Sequence, residues 1–361
     1  MGIAMRTGLA RLPLHYGKAP TWLFQLMKSL AREISIFIVS SEGSQKTLRR
    51  LSDPFWFQAL GCVLGFDWHS SGVTTTVCGA IKEGIRGLET DLDLFVAGGK
   101  GATSRKTPLE IQTQAAHLDA DPGKLIYASR MAAKVDSSAL QDGYQIYHHC
   151  FFFNSGGNWA VVQQGMNEKT RYARRYHWLG EEVKDFVCEP QSAICCDRKE
   201  EVVLDLVATD SEKARQASAA LSREKPEKLV AELNRIQRLE LPSRHPISVE
   251  DIHPRRLQEI FLKTYTQQPQ RFEDLLGIPG VGAKTIRALA LIGELLYGAS
   301  PSFCDPARYS FAHGGKDGHP YPVDREVYSA SIDFLKKAID SAKIGHYDKA
   351  RALRRLSMLN R

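Results

Sequence analysis

The sequence predicts an α+β protein: an N-terminal mixed α/β domain followed by an all-helical domain. Two observations carry this. Across residues 35–208, short runs of β-branched and aromatic residues are punctuated by Gly, Pro, Asp and Asn. After Asp210 the composition turns abruptly to Ala, Glu, Lys, Arg and Leu with helical periodicity. A chain of 361 residues accommodates two domains, placed at 1–208 and 209–361.

In chain order, TWLFQLMKSLAREI (21–34) reads as an amphipathic helix of the folded domain, although its lack of early acidic residues imitates an organelle presequence. Met5 is a second candidate start. Strands are expected at SIFIVSS (35–41), GVTTTVCGAI (72–81), LDLFVAGG (92–99), KLIYASRM (124–131), YQIYHHCFFF (144–153), NWAVVQQGM (158–166), DFVCEP (185–190) and VVLDLVA (202–208). PLEIQTQAAHLD (108–119) reads as a helix between them. The C-terminal part is helical throughout, with Pro242, Pro246 and Pro254 separating its first long helix from the next.

Forty-eight Lys and Arg against 41 Asp and Glu give a formal charge of +7, which favours a polyanionic partner without establishing one. No apolar run reaches the roughly 18–20 residues that span a bilayer, so no membrane partner is expected. Seven cysteines without a CxxC pair argue for buried or incidental thiols in a reducing cytoplasm, and Cys195-Cys196 reads as core.

The most specific stretch is DLLGIPGVGAKTIRALALIGELL (274–296). A short helix is expected to end at Leu276-Gly277 and a second to start near Gly282, with Pro279 fixing the turn and Gly280 and Gly282 free to take positive φ. Backbone N–H groups at the second helix start then face a phosphate, helped by the charge of Lys284 and the hydroxyl of Thr285, with Arg287 on the next turn. The stretch resembles the helix-hairpin-helix motif, near 272–296, and that resemblance implies sequence-independent contact with a DNA backbone. In glycosylases and abasic-site lyases of that class, a lysine in a G-x-K-T setting and a later aspartate are catalytic. Lys284 matches the first, and Asp324 in YPVDREVYSASIDF the second. An extra stretch, SPSFCDPARYSFAHGGKDGHP, intervenes, and Asp324 reads equally as a helix N-cap.

That stretch and its flank bring Arg308, Lys316 and Arg325 among aromatic residues, a composition suited to a nucleic-acid backbone and exposed bases. Upstream, VAGGKGATSRKTP reads as a flexible glycine loop whose Lys100, Arg105 and Lys106 contact a DNA strand; its spacing is not that of a nucleotide-binding P-loop.

In the N-terminal part, RTGLARLPLHYGKAP, DPFWFQALGCVLGFDWHSSGVTTTV, YASRMAAKVDSSALQDGYQIYHH, WAVVQQGMN and ARRYHWL resemble the domain-of-unknown-function family 763 of archaea and bacteria, over nearly the whole chain. The resemblance supports the two-part architecture and implies no reaction. Read chemically, Asp67, His69, Lys134, Asp136, Asp142, His148, His149, Gln163 and Gln164 are the inventory for phosphodiester hydrolysis. Asp67, His69 and Asp142 are the candidate ligands for Mg2+ or Mn2+. Asp142 reads alternatively as a turn former before Gly143. The pair His148-His149 reads alternatively as one core and one surface residue. The leading expectation is a structure-selective DNA repair or recombination nuclease, cytoplasmic and working with other repair proteins. The alternatives are a glycosylase or lyase using Lys284 and Asp324, and a non-catalytic DNA-binding accessory protein.

Overall fold

The computed structural model describes residues 21–66, 72–196, 199–236, 254–307 and 325–358. The chain opens with three helices, α1 (Thr21–Ser52), α2 (Pro54–Leu64) and α3 (Gly72–Gly84). In α1 the buried residues Met27, Leu30, Ala31, Ile34 and Ile38 recur at the spacing of one helical face, and in α3 Val73, Val77 and Ile81 do the same. The strands expected at 35–41 and 72–81 are therefore helical: a continuous apolar stripe overrides β-branched propensity. Helix α1 bends at Gly43, whose φ is 84°. Asp53 caps α2 by accepting from the N–H groups of Phe55 and Trp56, with Pro54 in the first turn.

Next come β1 (Phe95–Lys100), α4 (Thr107–Thr113) and α5 (Pro122–Lys134). The strand expected at 124–131 lies within α5 and is helical too; Asp121 caps that helix through the N–H of Gly123. The expected glycine loop is also different in kind: Gly98, Gly99 and Lys100 belong to β1, and 101–106 form a 3-10 turn. Strands β2 (Leu140–Gln141), β3 (Gln145–Phe153), β4 (Trp159–Met166), β5 (Ala173–Leu179), β6 (Ala193–Cys195) and β7 (Leu204–Asp205) follow. DFVCEP contains no strand, and VVLDLVA only the two residues of β7. The helices α6 (Glu212–Leu221), α7 (Pro226–Ile236), α8 (Pro254–Gln267), α9 (Phe272–Gly277), α10 (Ala283–Tyr297), α11 (Arg325–Ser341) and α12 (His346–Met358) complete an α+β fold.

The main sheet is antiparallel with order β1-β3-β4-β5-β6, and β2 pairs separately with β7. Both faces of the main sheet are covered. Phe151, Phe153, Val161 and Trp178 meet α5 to α10 on one face, while Cys150, Phe152, Ala160 and Val162 meet α1 to α3, α11 and α12 on the other. Alternate residues of one strand thus serve two cores, which is why β4 and β5 are buried almost end to end. The change of composition near 210 marks a change of secondary structure, and each apolar cluster contains residues from both sides of it.

Candidate nucleic-acid interface

Helices α9 and α10 are joined by Ile278, Pro279, Gly280, Val281 and Gly282. Ile278 and Val281 are buried and anchor the turn, while Pro279 and Gly280 are exposed. Gly280 has φ 97°, the left-handed region that favours glycine. Gly282 does not: its φ of −143° is open to any residue, and a Cβ there would meet nothing within 4 Å. Its bareness leaves open space before the start of α10.

That start has no side-chain cap, and the first backbone bond into it runs from Ile286 N–H to the Gly282 carbonyl. The N–H groups of Ala283, Lys284 and Thr285 consequently have no partner within the helix. Lys284 is exposed beside them, and the ammonium of Lys263, on the exposed face of α8, reaches within 3.9 Å of where a Gly280 Cβ would stand. Thr285 is buried, so its hydroxyl is not presented at the opening. Arg287 donates to Gln141 Oε1 at 2.7 Å, which commits its guanidinium to the fold.

The turn is fastened from behind. Lys134, at the end of α5, donates its ammonium to the Val281 carbonyl, and burial holds that lysine below its usual pKa. Gln141 Nε2 donates to the Ala283 carbonyl at 2.9 Å. Lys134, expected from the sequence to stabilise charge in catalysis, here holds the α9–α10 turn. Lys100, Arg105 and Lys106 are exposed. Lys100 ends β1 opposite His148 near the start of β3, four residues after Gln141, so this basic segment lies towards the same end of the sheet.

The remaining described candidates are buried, four of them in the main sheet and Asp136 and Asp142 in turns beside it. On the α5 face, His149, Gln163 and Tyr176 stand in one cross-strand row. Gln163 Nε2 donates to Asp136 Oδ2 at 2.5 Å and to the Ala132 carbonyl at 3.2 Å, which turns its Oε1 to His149 Nδ1 at 2.8 Å. His149 Nδ1 is then the donor, and its Nε2 accepts from Ser129 Oγ at 2.9 Å. Asp136 also accepts from Trp178 Nε1 and Gln191 Nε2. Burial pushes Asp136 up to about 7 and His149 down to about 4. A Ser–His pair is the geometry of an activated nucleophile. Here both are almost wholly buried, and no phosphodiester reaches them without the fold opening.

Asp142 accepts from the Tyr144 N–H, from Tyr176 Oη and from Arg174, whose guanidinium also binds Asp305 at 2.6 Å. It therefore forms both the turn before Gly143 and a buried ion pair, and burial raises its pKa despite Arg174. Its oxygens are spent on these donors rather than turned to a cation. On the opposite face, His148, Gln164 and Arg175 form the next row. Gln164 donates to Tyr147 Oη. His148 is buried with its pKa pushed down to about 3, close to Cys150 and Cys78. The two histidines thus diverge to opposite faces, and neither is at the surface.

Asp67, His69, Arg308, Lys316, Asp324 and the side chain of Arg325 lie outside the described residues. Sequence reasoning passes over Ser129, Lys263, Arg174, Arg175, Asp305, Cys78 and Cys150. The two arginines sit in ARRYHWL, a strand buried along its whole length, where two adjacent charges are not what a buried strand leads one to expect. No curated protein and no solved structure shows significant similarity to the chain. A family profile described as "Protein of unknown function (DUF763)" matches residues 8–323.

Proposed function

The chain belongs to the DUF763 family of proteins of unknown function, and on the strength of its α9–α10 turn we propose that it binds DNA by the phosphate backbone, as a repair or recombination protein. The observation that carries this is the uncapped, open N-terminus of α10, flanked by the exposed lysines 263 and 284. Backbone N–H donors and point charges recognise phosphate and carry no base information, so the binding is sequence-independent. This is the arrangement expected of a helix-hairpin-helix. The net charge of +7 supports the same partner.

Structure-selective hydrolysis with Mg2+ or Mn2+ is the extension of this reading. It requires residues other than the buried set of Asp136, Asp142, His148, His149, Gln163 and Gln164. Asp67 and His69 are the named candidates left. A lyase step requires the Lys284 amine.

Fluorescence anisotropy with duplex, bubble, flap and abasic DNA, repeated over a salt series, tests the binding. The expected result is a steep salt dependence, with Gly282→Asp and Lys284→Ala each weakening all sequences about tenfold and the fold intact. Binding indifferent to Gly282→Asp in a folded protein overturns the assignment to this turn. The same DNAs, scored for strand breaks with metal or chelator and for borohydride trapping, separate nuclease, lyase and pure binder.

A further inference from the structure

We propose that Cys78, His148 and Cys150 form a binding site for a thiophilic divalent cation of the zinc class. The three come from two elements that meet at the buried side of β3. His148 and Cys150 are two residues apart on that strand and so share a face, while Cys78 lies on the stripe of α3 that includes Thr74 and Ile81. One sulfur from each cysteine and one ring nitrogen of His148 all lie within 4.8 Å of one another. Around a tetrahedral zinc, with bonds of about 2.0–2.3 Å, such donors stand roughly 3.5–3.8 Å apart. Closing that difference needs side-chain adjustment only.

One observation separates this cluster from incidental core thiols. His148 is 1 % exposed, yet neither of its ring nitrogens has a hydrogen-bond partner among the described residues. A buried imidazole normally bonds through at least one nitrogen, and a metal bond supplies what this one lacks.

Two sulfurs and an imidazole select zinc-like ions over Mg2+ or Mn2+, which take oxygen. Three protein donors leave the fourth zinc position to a non-protein ligand. The cation would clamp α3 onto the centre of the sheet, joining residues 70 positions apart in the chain.

The test is metal analysis of the full, tag-free chain, purified without chelator and then titrated with Co2+ after stripping. About one zinc per chain is expected, as for a single such site. Cys78→Ser and Cys150→Ser should each lose most of it, while Cys304→Ser, whose thiol is exposed and outside the cluster, should keep it. Should the two cluster variants fail to fold, the wild-type chain decides alone. Folded, stripped protein should develop thiolate-to-cobalt charge-transfer absorption with tetrahedral d–d bands, and added zinc should abolish both. Folded wild-type protein with neither zinc nor a cobalt–thiolate band overturns the proposal.

Discussion

Asp136 is the residue at which chemistry and stability are most sharply opposed. Three N–H groups point at its carboxylate and favour the anion, but complete burial outweighs them and lifts its pKa to about 7. The folded state therefore binds this proton more tightly than the unfolded chain. Its contribution to stability is complete at acid pH, below the ordinary carboxylate range, and is lost as pH rises through about 7. Asp136→Asn should flatten that part of the pH–stability curve, read from urea midpoints between pH 4 and 8. It should also cost about 1–3 kcal/mol, because an amide presents N–H where the carboxylate accepted. An unchanged slope would place the titration elsewhere. The sequence offers Asp136, His149 and Gln163 as residue types suited to chemistry, but nothing in its linear order shows that they converge. Their inaccessibility is not legible either, because burial depends on helices contributed from far along the chain. The same limit hides the Cys78–His148–Cys150 group, since one donor lies on a segment that reads as a strand and folds as a helix.

At the level of elements, the α9–α10 turn is the most legible feature, because Gly and Pro state backbone geometry directly. Its two glycines are nonetheless unequal. Gly280→Ala must hold an L-residue at φ 97° and should destabilise by about 1–2 kcal/mol in a thermal melt. Gly282→Ala, in extended backbone with open space around it, should leave the melt unchanged. Equal effects of the two would mean that the turn is built differently. By contrast α5 reads as a strand although its start signal, DPG, stands in view: Asp121 caps and Pro122 opens the helix. The Leu-Ile-Tyr run carries β propensity, and the cap is the stronger evidence for where a helix begins.

For the whole molecule, the two ends of the described chain close one core. Arg355 donates to the Val63 carbonyl, the Lys343 N–H to Glu33, and the Arg50 guanidinium lies 4.0 Å over the Phe334 ring. Residues 1–208 alone would leave the apolar stripes of α1 and α2 uncovered by α11 and α12, and the α5 face of the sheet uncovered by α6 to α10. Calorimetry of the full chain should accordingly show one unfolding transition, and the 1–208 fragment should lack a native near-ultraviolet circular dichroism spectrum. Two transitions, or a folded fragment, would restore an independent N-terminal domain. The interlocked ends also set a schedule for biosynthesis. A ribosome that has finished α3 must add more than 200 residues before α11 emerges, on the order of 10 s or more at ~5–20 residues per second. During that interval the nascent chain carries a sticky, half-roofed surface, so holding chaperones should retain it until the last helices are released.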